Sequence, residues 1–298
     1  MKIEIKEAAS KTQYQNEFKK FYKKRVRLQN DVIKATSRKM KTFRANIVNR
    51  IHNAGTETAK WNYKRLLAEF DEATFEFFEK YKKELKTGLN KSGWMGMDKV
   101  AKPMQLIGIE VPSITGLIND FIRAETISTM RYVDALKGDV MDLMRNELQV
   151  TIAGGQTAFE FQQVIARNYL NPKYYIIEKN GVQFIKTVGV NWRAEMISRT
   201  EIARVYQAVG HKGALEVETK YKNDFLKRWV TSGTGPVDSG GRTRLTHWDE
   251  QARTSSGIGI KEKYMPGGFP CDFPLDPSLP AAESIMCMCE SMIISKEW

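Results

Sequence analysis

The residues best suited to chemistry sit late in the chain. The sequence holds only three cysteines and three histidines, and Cys271, Cys287, Cys289 and His247 all fall between positions 247 and 289. Together they offer the four nitrogen and sulfur ligands that tetrahedral zinc prefers. The close pair is C-x-C rather than the commoner C-x(2–4)-C, and Cys271 stands alone. Read as a β-strand, "IMCMCESMIIS" points both thiols to one face, too far apart for an easy mutual disulfide. That arrangement also suits two small apolar residues packed on a core, and buried structural cysteines are the expectation, with zinc as the alternative. A thiol enzyme would need a histidine beside a cysteine and an orienting acid. His247 with Asp249 supplies those types, but no cysteine sits at a helix N-terminus or in a reactive turn. His52 and His211 lie among charged residues in helical stretches and read as surface or packing residues.

Other chemical motifs are weaker. In "GTGPVDSGGRT" the glycines are followed by Arg242, where a phosphate-binding loop needs lysine and then a helix. It reads as an exposed turn. No G-x-S-x-G, H-E-x-x-H or spaced carboxylate cluster occurs, so no enzyme is expected. The densest polar pattern on a helix is "RAEMISRTEIARVYQAVG". Glu195 with Arg199 and Glu201 with Arg204 are spaced as helix-face ion pairs. Arg199, Thr200 and Glu201 are also placed to reach the loop carrying Arg242 and Arg244, which makes a polar clamp the expected role.

These groups need elements to hold them. The 298 residues are 42% hydrophobic, enough for real cores and more than one compact domain needs. No apolar run approaches a membrane span, and "MKIEIKEAAS" lacks the apolar heart of a signal peptide, so synthesis in a cytoplasm is expected. From Lys11 the chain reads as helix, with Phe21, Leu28, Val32, Phe43, Ile47 and Ile51 at three- and four-residue steps. "HNAGTET" breaks it, and a second helix runs through "WNYKRLLAEFDEATFEFFEKYKKEL". Gly-rich "KTGLNKSGWMGMDKVAKP" reads as a linker. Helical period returns at "VPSITGLINDF" and runs to Gly154-Gly155, a stop signal, followed by the short helix "TAFEFQQVIARNYL". Asn180-Gly181 between β-rich runs marks a hairpin. "WRAEMISRTEIARVYQAVGHKGALEVET" is helical, and "FLKRWVTS" and "IMCMCESMIIS" read as strands. The expected class is α+β, a long-helical N-terminal half followed by a small α+β module, divided at 1–110, 111–172 and 173–298.

Charge is unevenly spread. Of the 47 basic and 35 acidic side chains, 15 and 4 fall in residues 1–50, leaving a nearly balanced 32 and 31 elsewhere. Lys20, Lys24, Arg27, Lys34, Arg38 and Lys41 share one side of the first helix, with Lys19, Lys23, Arg25 and Lys39 flanking. A solvated face normally mixes both signs. This one predicts contact with a polyanion, double-stranded DNA, or with an acidic protein surface.

Four motifs in order carry a resemblance. "RAEMISRTEIARVYQAVG", "KRWVTS", "RTRLTHWDE" and the closing "CMC" are similar to the phage Mu F-like head morphogenesis family. The matching residues are Arg199-Thr200-Glu201, Trp229, Arg242 through Arg244 to His247, and Cys287 with Cys289, within a similar stretch from about 114 to 293. The family's closing motif usually reads N-C-R-C, where this chain has Met286 and Met288. The resemblance implies a minor head (capsid) protein of a tailed phage, assembled in the host cytoplasm into the virion. It implies association with the portal protein, and with major capsid or scaffold protein, and a part in head assembly or DNA delivery. It implies no reaction. The contrasting expectation is a metal- or thiol-dependent hydrolase or toxin effector carrying the same module.

Overall fold

A computed structural model describes residues 11–56, 63–112, 115–154, 158–165, 174–179, 182–187, 189–221, 225–232 and 243–296. Helices α1 (Lys11–Thr56), α2 (Tyr63–Leu106) and α3 (Thr115–Ala153) come first, then the short α4 (Ala158–Val164) and a hairpin of β1 (Tyr174–Lys179) and β2 (Val182–Thr187). Helix α5 (Val190–Tyr221) leads into β3 (Phe225–Val230), α6 (Leu245–Arg253), β4 (Ile258–Gly259), a 3-10 turn at Pro266–Gly268, α7 (Ala281–Ser284) and β5 (Glu290–Ser295). Four long helices precede a small module with a three-stranded antiparallel sheet, so the protein is a mostly helical α+β fold. No helix among the described residues is long and apolar enough to cross a membrane.

The chain forms two compact units that cut across the sequential boundaries at 110 and 172. The first draws on residues up to Asn30, Thr87–Thr126 and Arg199 onward; the second on Asp31–Lys86 and Ile127–Ser198.

In the second unit the core is aromatic. Phe43 stacks on Phe77 at 5.0 Å, Phe77 meets Phe78 edge-on, and Phe70 lies 5.9 Å from Phe161. The Tyr81 hydroxyl is buried but satisfied, donating to the Ala194 carbonyl at 2.8 Å and sharing a 3.0 Å bond with Ser198. The β1–β2 pair runs antiparallel from Tyr174↔Thr187 to Lys179↔Val182. This leaves two residues for the connection, as the hairpin signal requires; Asn180 and Gly181 themselves lie outside the described residues.

In the first unit, β3 is central in the order β4-β3-β5. Its alternate residues Phe225, Lys227 and Trp229 are buried, as a half-buried strand dictates. Phe225 and Ile293 join Val100, Met104, Val217 and Ile260 in one apolar cluster; Trp229, Tyr264, Leu275 and the three cysteines form another. Tyr14 of α1 reaches β5, its hydroxyl donating to the Ile293 carbonyl at 2.8 Å.

Two expectations are corrected here. Residues 86–103 are not a linker: α2 runs through them to Leu106, with Pro103 inside its last turn. The glycines serve close packing instead. A Cβ on Gly96 would collide with the Tyr206 carbonyl of α5, and one on Gly93 with the Ile122 side chain. Ser92 donates to the Ile202 carbonyl from the same face. A glycine costs about 1 kcal/mol of helix propensity, which tertiary contact here overrides. The helix stops where Gly108 turns left-handed (φ 80°); Ile109 N–H bonds the Met104 carbonyl at 2.9 Å and Gly108 N–H that of Gln105 at 3.1 Å, a Schellman cap.

The second correction concerns "IMCMCESMIIS". Only Glu290–Ser295 is strand. Met286 adopts φ 60°, and its N–H bonds Thr200 Oγ1 at 3.2 Å. Arg244 Nη2 donates to the Ile285 carbonyl, and Cys287 N–H returns to Ser284 at 3.2 Å. Side chains and a local turn satisfy the backbone that a strand would have paired.

Candidate functional site

The closing segment brings two sulfurs against one imidazole. His247 sits in the first turn of α6, and its ring packs edge-on against Trp229 of β3 at 5.1 Å. Its Nδ1 lies 3.3 Å from Cys289 Sγ and 3.6 Å from Cys287 Sγ. On the other side of the ring, Nε2 lies 2.9 Å from Glu283 Oε2 of α7, off the line of a hydrogen bond. That carboxylate also accepts from Thr246 Oγ1 at 2.9 Å. Exposure is 1% for His247, 3% for Cys287 and 2% for Cys289.

The thiols perturb one another. Cys289 donating to it holds Cys287 well below the usual thiol range, against burial and with help from His247. The same bond, together with burial, pushes Cys289 well above that range. One shared proton between two sulfurs is the physical content of the pair. The Cys289 N–H adds a 3.4 Å contact to Cys287 Sγ.

Cys271 is not part of this group. It is fully buried and bridges backbone-to-backbone with Tyr264, and burial, then the Asp276 charge, pushes its thiol up. The four-ligand set His247, Cys271, Cys287 and Cys289 therefore reduces to three. All three cysteines are free and buried.

Helix α5 makes polar ties to the C-terminal segments. Glu201 and Arg204 form a buried 2.8 Å ion pair, and Arg204 Nε donates to the Leu275 carbonyl at 3.1 Å. Thr200 and Arg244 both hold the backbone beside Cys287, as described above. Arg242 lies outside the described residues.

Beneath the C-x-C turn lies a buried charge network that sequence reading missed. Arg25 Nε donates to Glu290 Oε1 at 2.7 Å, and Lys99 Nζ lies 3.3 Å from Glu290 Oε2. Gln207 ties the group together: its Nε2 donates to Glu290 Oε2 at 2.7 Å and to the Cys289 carbonyl at 3.0 Å, while its Oε1 accepts from Lys99 at 2.6 Å. Arg25 Nη2 reaches the Met288 carbonyl at 3.2 Å. Two cations thus face one carboxylate, with the Tyr206 ring 4.5 Å from Lys99 Nζ. Burial lowers Lys99 to about 8, against the pull of Glu290. Burial also opposes the Arg25 charge, but Glu290 outweighs it and the net shift is upward.

Arg25 was expected on the DNA-facing side of α1 and is instead fully buried. Its register held the signal. Tyr14, Phe18, Phe21, Arg25 and Gln29 are the buried positions of this part of α1, at the three- and four-residue steps of a helix face. Lys39 is half-buried and paired with Glu84 at 2.7 Å. The other expected contacts are exposed: Lys19, Lys20, Lys23, Lys24 and Arg27 in the first unit, Lys34, Arg38 and Lys41 in the second. Of these, Lys20 pairs with Glu17 and Lys24 lies over the Phe21 ring at 4.9 Å.

Comparison with protein families, curated proteins and solved structures finds no match to this chain.

Proposed function

We propose that this chain is a minor head protein of a tailed phage, bound near the portal and acting in head assembly or DNA delivery. The observation that supports the reading is convergence. Thr200 and Glu201 of α5, Trp229 of β3, Arg244 and His247 at the start of α6, and Cys287 with Cys289 are spread over ninety residues of sequence. Thr200, Trp229, Arg244, His247 and the two cysteines meet around one turn in the first unit, each packed against it or bonded to it, while Glu201 is buried next to Thr200 in an ion pair with Arg204. Motifs that share a family's order and also share one structural job are what a common module requires. The burial of His247 and both thiols favours an internal role over attack on a substrate, since a nucleophilic thiol needs access as well as ionisation.

In the same reading, the exposed Lys19, Lys20, Lys23, Lys24 and Arg27 contact packaged DNA through its phosphates. Among the described residues, the one ion pair these five side chains make is Lys20 with Glu17. Five neutralised phosphates give a log–log salt slope of about −4.5, independent of DNA sequence. The test is co-purification of the full chain with portal protein, alongside DNA binding as a function of salt. Portal binding by wild type, and a salt slope flattened by several units when these five residues become Gln, are the results expected. A folded chain that binds no portal protein contradicts the head-protein reading. Salt-independent or absent DNA binding assigns the basic face to a protein partner.

A further inference from the structure

We propose that Cys287 and Cys289, with His247 through Nδ1, bind a single zinc ion, and that Glu283 positions the imidazole from its far side. Three donor atoms lie within 4.8 Å of one another among the described residues, all fully buried. Their spacing suits the ion. Zinc bonds of about 2.3 Å to sulfur and about 2.05 Å to nitrogen place sulfur and nitrogen roughly 3.6 Å apart across a tetrahedral edge. The two nitrogen–sulfur separations here are 3.3 and 3.6 Å. Both nitrogen–sulfur edges are therefore already close to the length that the ion requires.

The surroundings have the logic of a metal's outer shell. A ligating histidine characteristically hands its second ring nitrogen to a carboxylate, which fixes the tautomer and raises its basicity. Glu283 Oε2 stands 2.9 Å from Nε2, within reach of that bond once the ring turns onto its line, and is itself held by Thr246. The turn between the cysteines is built for convergence: left-handed Met286 bends the chain, and Cys289 N–H points at Cys287 Sγ. A continuous strand would have given neither feature. Each thiol that ligates surrenders its proton to solvent, and two thiolates neutralise the Zn2+ charge. Three protein donors leave one position of the tetrahedron to a further ligand. The soft donor set favours zinc over calcium or magnesium, which take oxygen ligands.

The experiment uses the full chain. Purified protein is expected to carry about one equivalent of zinc by elemental analysis, and chelation to lower its melting temperature. Titrating the stripped protein with Co2+ is expected to give thiolate-to-cobalt charge-transfer absorption with tetrahedral visible bands, saturating at one equivalent. Cys289→Ser is expected to abolish the charge-transfer signature or shift it to a single-thiolate form. Cys271→Ser, which removes an equally buried thiol outside the group, is expected to keep it. Glu283→Gln is expected to retain stoichiometry with affinity about 10–100-fold weaker. Natively folded protein with neither zinc nor the cobalt signature overturns the proposal. So does a folded Cys271→Ser variant that loses the metal as completely as Cys289→Ser.

Discussion

The two compact units of this chain solve the same problem with opposite materials. In the first, Arg25, Lys99, Glu201, Arg204, Lys227, Glu250 and Glu290 are all buried. In the second, the buried polar side chains among the described residues are Thr36, Thr74, Thr129, Thr151 and Ser198, hydroxyls without charge. Its ion pairs, such as Lys39–Glu84, Arg145–Asp71 and Arg193–Asp139, stay partly in solvent. Exposed pairs contribute about 0–1 kcal/mol each. A buried pair adds little over an apolar replacement, yet losing one partner costs about 3–5 kcal/mol because a charge is left without compensation. The second unit is thus held by aromatic packing. The first has charges that fix which segment sits where: Glu290 is the point at which α1, α2, α5 and β5 of that unit agree.

The comparison fails most visibly if Glu290→Gln is mild. That change leaves Arg25 and Lys99 facing a neutral amide, and a loss of about 3–5 kcal/mol is expected, read as lowered hydrogen-exchange protection in the first unit. Phe77→Ala is the counterpart in the second unit. Removing a ring that stacks on Phe43 at 5.0 Å is expected to cost about 3–5 kcal/mol, with protection lost there instead. Equal losses in both units from either variant would mean that the division has no energetic meaning.

A smaller effect comes from His211. Burial, then the Lys227 charge, lowers it to about 4; Lys212 pushes the same way, while Asp272 and Asp276 oppose. The unfolded chain, with histidine near 6.5, binds the proton more tightly than the folded one. Stability therefore rises with pH between about 4 and 6.5 and is lost as pH falls through that window. His211→Gln is expected to flatten this limb of the stability–pH curve. The smallest effect belongs to Arg145→Ala, expected to change stability by no more than about 1 kcal/mol despite its 2.9 Å bond to Asp71.

The Asn-Gly pair marked the hairpin, and periodicity made the long helices legible. It did so because burial of one helix face repeats at 3.6 residues whatever the partner is. Composition misled where the partner decides the outcome. Gly93 and Gly96 look the same in a linker and in a tight helix crossing, since only the facing Tyr206 and Ile122 tell them apart. Arg25 looked like one more cation in a basic run, although its spacing from Phe18, Phe21 and Gln29 placed it on the buried face. The C-x-C segment alternates like a strand, and partners distant in sequence, Thr200, Arg244, Arg25 and Gln207, hold its backbone in a bend instead. His247, Cys287 and Cys289 were identifiable by residue type. Glu283 was not, because an acid on a four-residue helix carries no signal until the histidine is placed beside it.

The proposal that this chain is built into a phage particle is tested most directly by mass analysis of purified virions and of assembly intermediates from a tailed phage whose genome carries its gene. The chain is expected in both, at a low fixed ratio to the portal protein. Particles that carry portal protein and are complete without this chain, at every stage of assembly, would contradict the account.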